Sequence, residues 1–151
     1  MNIHDLIKPE LINLNLKGST KDEVIQEMIA LLDENGVLMD HKTFYNEIIH
    51  REKQHHTGIG FGIAIPHGKS AAVLTPSIAC GRTDPGMIWD EEGNEQVQWV
   101  FMIAVPENQA GNEHLKILQM LAARFIDHSF REKLTKSQTP DEVLKLITSQ
   151  N

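Results

Sequence analysis

The sequence of 151 residues has one cysteine, few aromatic residues (5%) and fewer basic than acidic side chains (14 against 21). The single cysteine, Cys80, excludes an intrachain disulfide, and its apolar neighbours predict a small buried strand residue. The net charge of −7 argues against a nucleic-acid binder, because such proteins ordinarily present a basic face. No run of 18 apolar residues is present that would predict a membrane-spanning segment.

The bulk properties are those of an ordinary globular domain, with 40% hydrophobic and 23% charged residues. A chain of this length suits a single domain, which we expect to cover residues 1–151. The first residues lack the basic and apolar regions of a signal peptide, so we expect a cytoplasmic location without membrane insertion.

Helix signals recur along the chain. The capping box Thr20-x-x-Glu23 predicts the start of a helix, and Asn35-Gly36 its end. Asp40 is the predicted cap of a second helix that ends near Arg51. Three more helices are predicted from residue 112 to 125, from a Ser129 cap, and from a Thr139 cap followed by proline.

Strand signals lie between these helices. Residues 11–16 alternate in polarity, residues 77–81 predict a short strand, and residues 83–95 predict turns with a hairpin. Residues 97–105 are continuously apolar, which predicts a central strand covered on both faces and ended by Pro106. Strands and helices do not alternate strictly, so the predicted class is α/β of an α+β-like kind, with a mixed sheet flanked by helices on both faces.

The most informative segment is residues 57–68. Large apolar residues at 59, 61, 63 and 65 alternate with glycine or alanine at 58, 60, 62 and 64. This period of two predicts one strand with a bulky face and a bare face, which a partner or ligand can approach closely. Pro66 is predicted to end the strand, which places the nucleophilic side chain of His67 beside unshielded backbone donors.

Rival motifs fail on spacing. Gly68-Lys69-Ser70 matches the end of a phosphate-binding P-loop, but position 63, where that motif requires its first glycine, is occupied by Ile63. The dinucleotide-binding motif G-x-G-x-x-G is not present either, because Gly58 and Gly60 match its first two glycines but Ile63 stands in place of the third. Eight histidines are present without an H-E-x-x-H pair, so we predict neither a metal nor a cofactor.

The run T-G-I-G-x-G-I-A-I-P-H resembles the phosphohistidine motif of enzyme IIA domains in the sugar phosphotransferase system, fructose/mannitol family. Arg51-Glu52 and Glu113-His114-Leu115 stand where that family has its Arg-Glu pair and its second histidine. The similarity therefore extends over nearly the whole chain.

This resemblance implies a phosphocarrier with a similar fold. Phosphorylated HPr would donate to His67, and His67 would pass the group to a cysteine of an enzyme IIB that serves sugar uptake. Two alternatives stay open. One is a regulatory, nitrogen-type phosphoprotein that feeds no transporter, and the other is a small-ligand or metal-binding module that uses the histidines.

The resemblance also implies roles for individual residues. His67 is the predicted nucleophile, acting through a neutral ring nitrogen. His114 is predicted in the first turn of a helix, where it can stabilise a phosphoryl group. Arg51 supplies charge for phosphate oxygens, or alternatively balances the dipole of its helix.

Five further residues are predicted in supporting roles. Thr57, Gly58 and Gly60 are candidate hydrogen-bond donors near the phosphoryl group. Glu52 is predicted to be a structural partner of Arg51. His56 stands where family members often have a serine, and it either adds a donor to the site or is a tolerated change.

Overall fold

The computed structural model describes residues 2–109 and 111–149. Two short 3₁₀ turns, Ile3–Asp5 and Pro9–Leu11, precede the helices. The helices are α1 (Lys21–Glu34), α2 (His41–Gln54), α3 (Glu113–Ile126), α4 (His128–Lys136) and α5 (Pro140–Thr148). The strands are β1 (Ile12–Asn13), β2 (Gly58–Gly60), β3 (Ile63–Ala64), β4 (His67–Ser70), β5 (Ser77–Asp90) and β6 (Glu95–Pro106).

Strand β6 is the centre of the sheet. It pairs antiparallel with β5 on one side and parallel with β3 and β4 on the other. Strand β1 extends the sheet parallel to β5, and β2 extends it antiparallel to β3. The sheet is therefore mixed, as the sequence predicts.

Alternate side chains of β6 enter two separate hydrophobic cores. Val100, Met102 and Ala104 pack with residues of α1 and α2. Phe101 and Ile103 pack with residues of α3, α4 and α5 on the opposite face. All five side chains are buried. This confirms the prediction of a doubly covered central strand within a single domain.

The predictions for two of the strands differ from the structure. β5 continues to Asp90, so the predicted turns shrink to residues 91–94. Pro85 and Gly86 are accommodated inside β5 because the register with β6 shifts between Arg82 and Met87. The predicted strand 11–16 is limited to β1, since the Asn13 side chain accepts from the backbone of residue 15 and turns the chain.

The helix caps are mostly confirmed. Thr20 forms both halves of its capping box, and Asp40 and Thr139 accept from the first turns of α2 and α5. The Ser129 cap is wrong: Asp127 caps α4 by accepting from the Ser129 backbone nitrogen. Helix α2 continues past Arg51 to Gln54.

The glycine-rich run is a hairpin, and the prediction of one continuous strand is wrong. Gly60, Phe61 and Gly62 have φ values of 85°, 59° and 76°, so the chain reverses between β2 and β3. Glycine reaches this left-handed region without steric cost, which a two-residue alternation does not reveal. The bulky positions consequently separate, with Ile63 buried and Phe61 56% exposed. The Phe61 ring instead stacks on the Arg131 guanidinium at 3.9 Å.

Membrane-spanning helices were sought in the part of the chain that the structure describes. None of its helices is both long and apolar enough to cross a bilayer.

Candidate functional site

His67 is the first residue of β4 and is fixed to the centre of the sheet. Its parallel partner on β6 is Ile103, whose backbone nitrogen donates to the Pro66 carbonyl oxygen at 2.9 Å. The predicted end of a strand before His67 is confirmed, since β3 stops at Ala64, but the further strand that begins at His67 was not predicted. A side chain at the start of a paired strand has little backbone freedom, which suits a reacting group.

One contact indicates the tautomer of the neutral His67 ring. Its Nδ1 lies 2.9 Å from the Ile65 carbonyl oxygen. A carbonyl can only accept, so Nδ1 carries the hydrogen, and in the neutral ring the lone pair is then on Nε2. The ring is half-buried, and in this tautomer its Nε2 can act as a nucleophile.

His114 is the second residue of α3 and completes a cluster with His67. Its Nδ1 is buried without a hydrogen-bond partner among the described residues. Burial lowers the pKa of His114, and the nearby positive charges of Lys69, of His67 when it is protonated, and of Arg51 lower this pKa further. The ring is therefore neutral at neutral pH, with positive side chains on several sides.

Lys69 is a member of this cluster that the sequence analysis considered only as part of a rejected P-loop. It follows His67 by two residues in β4, so both side chains point to the α3 face of the sheet. The same period of two turns the intervening Gly68 toward α2, where a Cβ would lie 3.2 Å from Ile48. Lys69 could have been identified from the sequence, because it lies two residues after His67 and alternate residues of a strand share a face.

Arg51 lies in the last turn of α2 and is exposed. It borders two adjacent depressions. One, of about 360 Å³, is shared with His67, Thr57 and the α3 residue Leu118. The other is shared with Lys69. Arg51 therefore lies in the last turn of α2 and beside the depression that His67 borders, and this position is compatible with either predicted role.

Glu52 is not a partner of Arg51, which corrects the prediction. Its buried carboxylate, 7% exposed, lies 2.8 Å from the Lys21 Nζ. It also accepts from the Thr57 backbone nitrogen at 3.2 Å and from the Thr57 hydroxyl. Glu52 therefore links the start of the hairpin to α1 and α2. The Thr57 hydroxyl donates its hydrogen to Glu52.

Replacing Glu52 by alanine is expected to lower the free energy of unfolding by about 2 kcal/mol, because two Thr57 donors and Lys21 lose their acceptor. For a domain of this size the melting temperature should fall by roughly 4–8 °C. The control is Glu34→Ala, which removes an exposed glutamate at the end of α1. Equal melting temperatures for the two variants would refute this role.

The two glycines of β2 accommodate a carboxylate. The Gly60 nitrogen donates to Glu95 Oε2 at 3.0 Å, so it is not the free donor that the sequence predicted. A Cβ on Gly58 would lie 2.4 Å from the same oxygen. Gly58 and His56 both border the cavity beside His67. The His56 ring nitrogens, however, lie 3.4 Å from Asp90 and 3.7 Å from Glu95.

The geometry defines a class of site: an imidazole oriented by a hydrogen bond, beside a second imidazole, an arginine and a lysine. Such a cluster suits the acceptance of a dianionic group. A family model described as "Phosphoenolpyruvate-dependent sugar phosphotransferase system, EIIA 2" matches residues 5–150. The chain belongs to this family of enzyme IIA domains.

Individual proteins support the assignment. The chain is 37% identical over 147 residues to the "PTS system fructose-specific EIIABC component" of Bacillus subtilis, covering 97% of the chain but 23% of that protein. The nitrogen regulatory protein IIA-Ntr of Neisseria meningitidis has a TM-score of 0.88 and 32% identity, covering 97% of this chain and 99% of that one.

A second solved structure is a complex of enzyme IIAMTL and phosphorylated enzyme IIBMTL from Escherichia coli. It matches with a TM-score of 0.79 and 28% identity, covering 94% of this chain and 98% of that one. The described fold, five helices around a mixed sheet of six strands, is the fold of these IIA structures.

Proposed function

We propose that this chain is a phosphocarrier that accepts a phosphoryl group from phosphorylated HPr on His67 Nε2 and passes it to a cysteine of an enzyme IIB. The observation that carries the proposal is the contact between His67 Nδ1 and the Ile65 carbonyl. It leaves one ring nitrogen with a lone pair, and that nitrogen belongs to a positively charged cluster.

Each transfer is a displacement at phosphorus. In the first, the Nε2 lone pair forms a bond to phosphorus while the bond to the donor breaks, and the donor keeps the electron pair. In the second, a thiolate forms the new bond to phosphorus and the electron pair returns to Nε2. Such reactions require alignment and charge stabilisation more than covalent help.

The surrounding residues would stabilise the phosphoryl oxygens. Arg51 and Lys69 supply positive charge, and Arg51 can donate two parallel hydrogen bonds. His114 donates from a ring nitrogen. A dianion on His67 would oppose the positive charges that lower the pKa of His114, so phosphorylation is expected to raise that pKa.

The relatives support an enzyme IIB as the acceptor. A IIA–IIB complex is known for the mannitol proteins, and the Bacillus subtilis relative is named as an EIIABC component. These names also support fructose or mannitol as the class of sugar served. We also propose that the reaction takes place in the cytoplasm.

The regulatory alternative keeps specific support, because the structural match to IIA-Ntr covers nearly the whole of both chains. Its site chemistry would be identical, and only the destination of the phosphoryl group differs. The metal-binding alternative at His67 and His114 has less support, because Arg51 and Lys69 would repel a cation there.

The test is a reconstituted phosphoryl relay. The protein is incubated with enzyme I, HPr and phosphoenolpyruvate, and intact mass is followed before and after a fructose-type or mannitol-type enzyme IIB is added. We expect one acid-labile phosphoryl group, which then moves to the IIB cysteine. Phosphorylation without transfer to any IIB would favour the regulator, and no phosphorylation would overturn both functions.

A further inference from the structure

Two carboxylates oppose each other at the end of the hairpin that joins β5 to β6. Asp90 and Glu95 are register partners, and their side chains are 23% and 20% exposed. Like charges at directly opposite positions of antiparallel strands are destabilising. Within residues 2–109 and 111–149, neither carboxylate forms an ion pair with a lysine or arginine. The pair therefore lacks a permanent cation.

The imidazole of His56 lies against both carboxylates. Its Nε2 is 3.4 Å from Asp90 Oδ2, and its Nδ1 is 3.7 Å from Glu95 Oε1. One ligand atom from each of the three residues can be chosen so that all lie within 4.8 Å of one another. Three donors at this spacing can converge on a single ion with small side-chain adjustments.

Backbone groups hold the carboxylates in these positions. Glu95 Oε2 accepts from the Gly60 nitrogen at 3.0 Å, and Asp90 Oδ1 accepts from the Glu92 nitrogen at 3.3 Å. Gly58 lacks the Cβ that would displace Glu95. Asp90 Oδ2 accepts from the Gly93 nitrogen at 3.3 Å and also lies toward His56, as does Glu95 Oε1. Ligands oriented in advance lose less conformational entropy when they bind.

We propose that His56, Asp90 and Glu95 bind a divalent transition-metal ion, of which Zn²⁺ is the best match. One imidazole nitrogen and two carboxylate oxygens are zinc ligands, and water would take the fourth tetrahedral position. Ca²⁺ and Mg²⁺ prefer oxygen ligands alone, so they should bind more weakly. The ion would supply the positive charge that Asp90 and Glu95 lack.

This site differs in its charge from the phosphoryl-acceptor cluster, although His56 and His67 border the same cavity. His67 and His114 lie among positive charges, whereas His56 faces two negative ones. A bound ion would join the His56–Gly58 segment to the β5–β6 hairpin. Because Thr57 and Gly58 border the His67 cavity, the ion would also stiffen one wall of that cavity.

The test uses the whole, tag-free protein at pH 8, where protons compete little for imidazole nitrogens. Zinc chloride is titrated by calorimetry, and thermal unfolding is followed with and without it. We expect one ion per chain and a melting temperature raised by about 5–10 °C when free Zn²⁺ is about a hundredfold above Kd. Calcium chloride at the same concentration should give a smaller shift.

Variants assign the ligands. His56→Ala and Asp90→Asn should each weaken Zn²⁺ binding by about tenfold or more, while melting normally without metal. His128→Ala is the matched control, because His128 is an exposed histidine that contacts one carboxylate, that of Glu132, at 3.0 Å. His128→Ala and His67→Ala should both bind Zn²⁺ like the wild type.

Two results would overturn the proposal: no Zn²⁺ binding by the wild type, or equal affinity in the wild type, His56→Ala and Asp90→Asn. Loss of binding in His67→Ala with binding retained in His56→Ala would also contradict it, by moving the metal to the other histidines. None of these measurements requires phosphorylation, so the metal site and the phosphocarrier function can fail independently.

Discussion

His67→Ala is expected to remain unphosphorylated under conditions that fully label the wild-type protein. The nucleophilic Nε2 is removed, and the Nδ1 of the other imidazole in the cluster, that of His114, has no hydrogen bond among the described residues that would orient the ring. His114 does not replace it, because its ring is expected to act as a donor to phosphoryl oxygens. Loss of labelling should be complete, since no bond to phosphorus can form without the nucleophile.

Intact-mass analysis after incubation with enzyme I, HPr and phosphoenolpyruvate measures this loss. His55→Ala is the control, because His55 borders the same cavity and has no assigned role in the chemistry. It should be labelled like the wild type. Labelling of the His67 variant would show that another residue is the acceptor.

The position of the phosphoryl group on the ring can be checked in the same sample. Nitrogen and phosphorus NMR of the labelled protein should place the phosphoryl group on Nε2, because Nδ1 donates to the Ile65 carbonyl. A group on Nδ1 would contradict the tautomer, though not the identity of the nucleophile.

His114→Ala is expected to accept the phosphoryl group but to pass it on about a hundredfold more slowly. Removing one preorganised donor to a developing charge typically costs a factor of this size. The effect should concentrate on the transfer to enzyme IIB, where the donor stabilises phosphorus oxygens as the bond to His67 breaks. Acceptance from HPr can be driven to completion by excess donor.

Single-turnover transfer from the labelled variant to enzyme IIB measures the rate. His114→Gln keeps an N–H donor on a neutral side chain, so its rate should lie between those of His114→Ala and the wild type. Wild-type rates of onward transfer in His114→Ala would refute the role assigned to this residue.

Much of the fold could be predicted because its signals are local. The unbroken apolar run of β6 indicated a strand buried on both faces, and Thr20 and Thr139 indicated helix starts that depend on neighbouring residues alone. The hairpin at Gly60–Gly62 could not be predicted from alternation, because a reversal with positive φ preserves the same two-residue pattern. The positive φ angles of this segment determine the chain reversal, and the pattern of apolar and small residues does not reveal them.

The candidate site residues were predicted from the family motif, and the two-residue period of β4 would have added Lys69 to them. Glu52 was paired with its chain neighbour Arg51 in the prediction, whereas the fold brings it to Lys21 and Thr57. The contact of His56 with Asp90 and Glu95 depends on how two hairpins lie together. Contacts of this kind require the three-dimensional structure.

The hydrogen bond between His67 Nδ1 and the Ile65 carbonyl oxygen has a kinetic consequence. Because that bond occupies one side of the ring, the proposed donor and the proposed acceptor must reach phosphorus along the same line, through Nε2. HPr and enzyme IIB could then not be bound at the same time. They would bind alternately and compete for the surface around Nε2. Unphosphorylated HPr in excess would then slow delivery to enzyme IIB without altering the chemistry at His67.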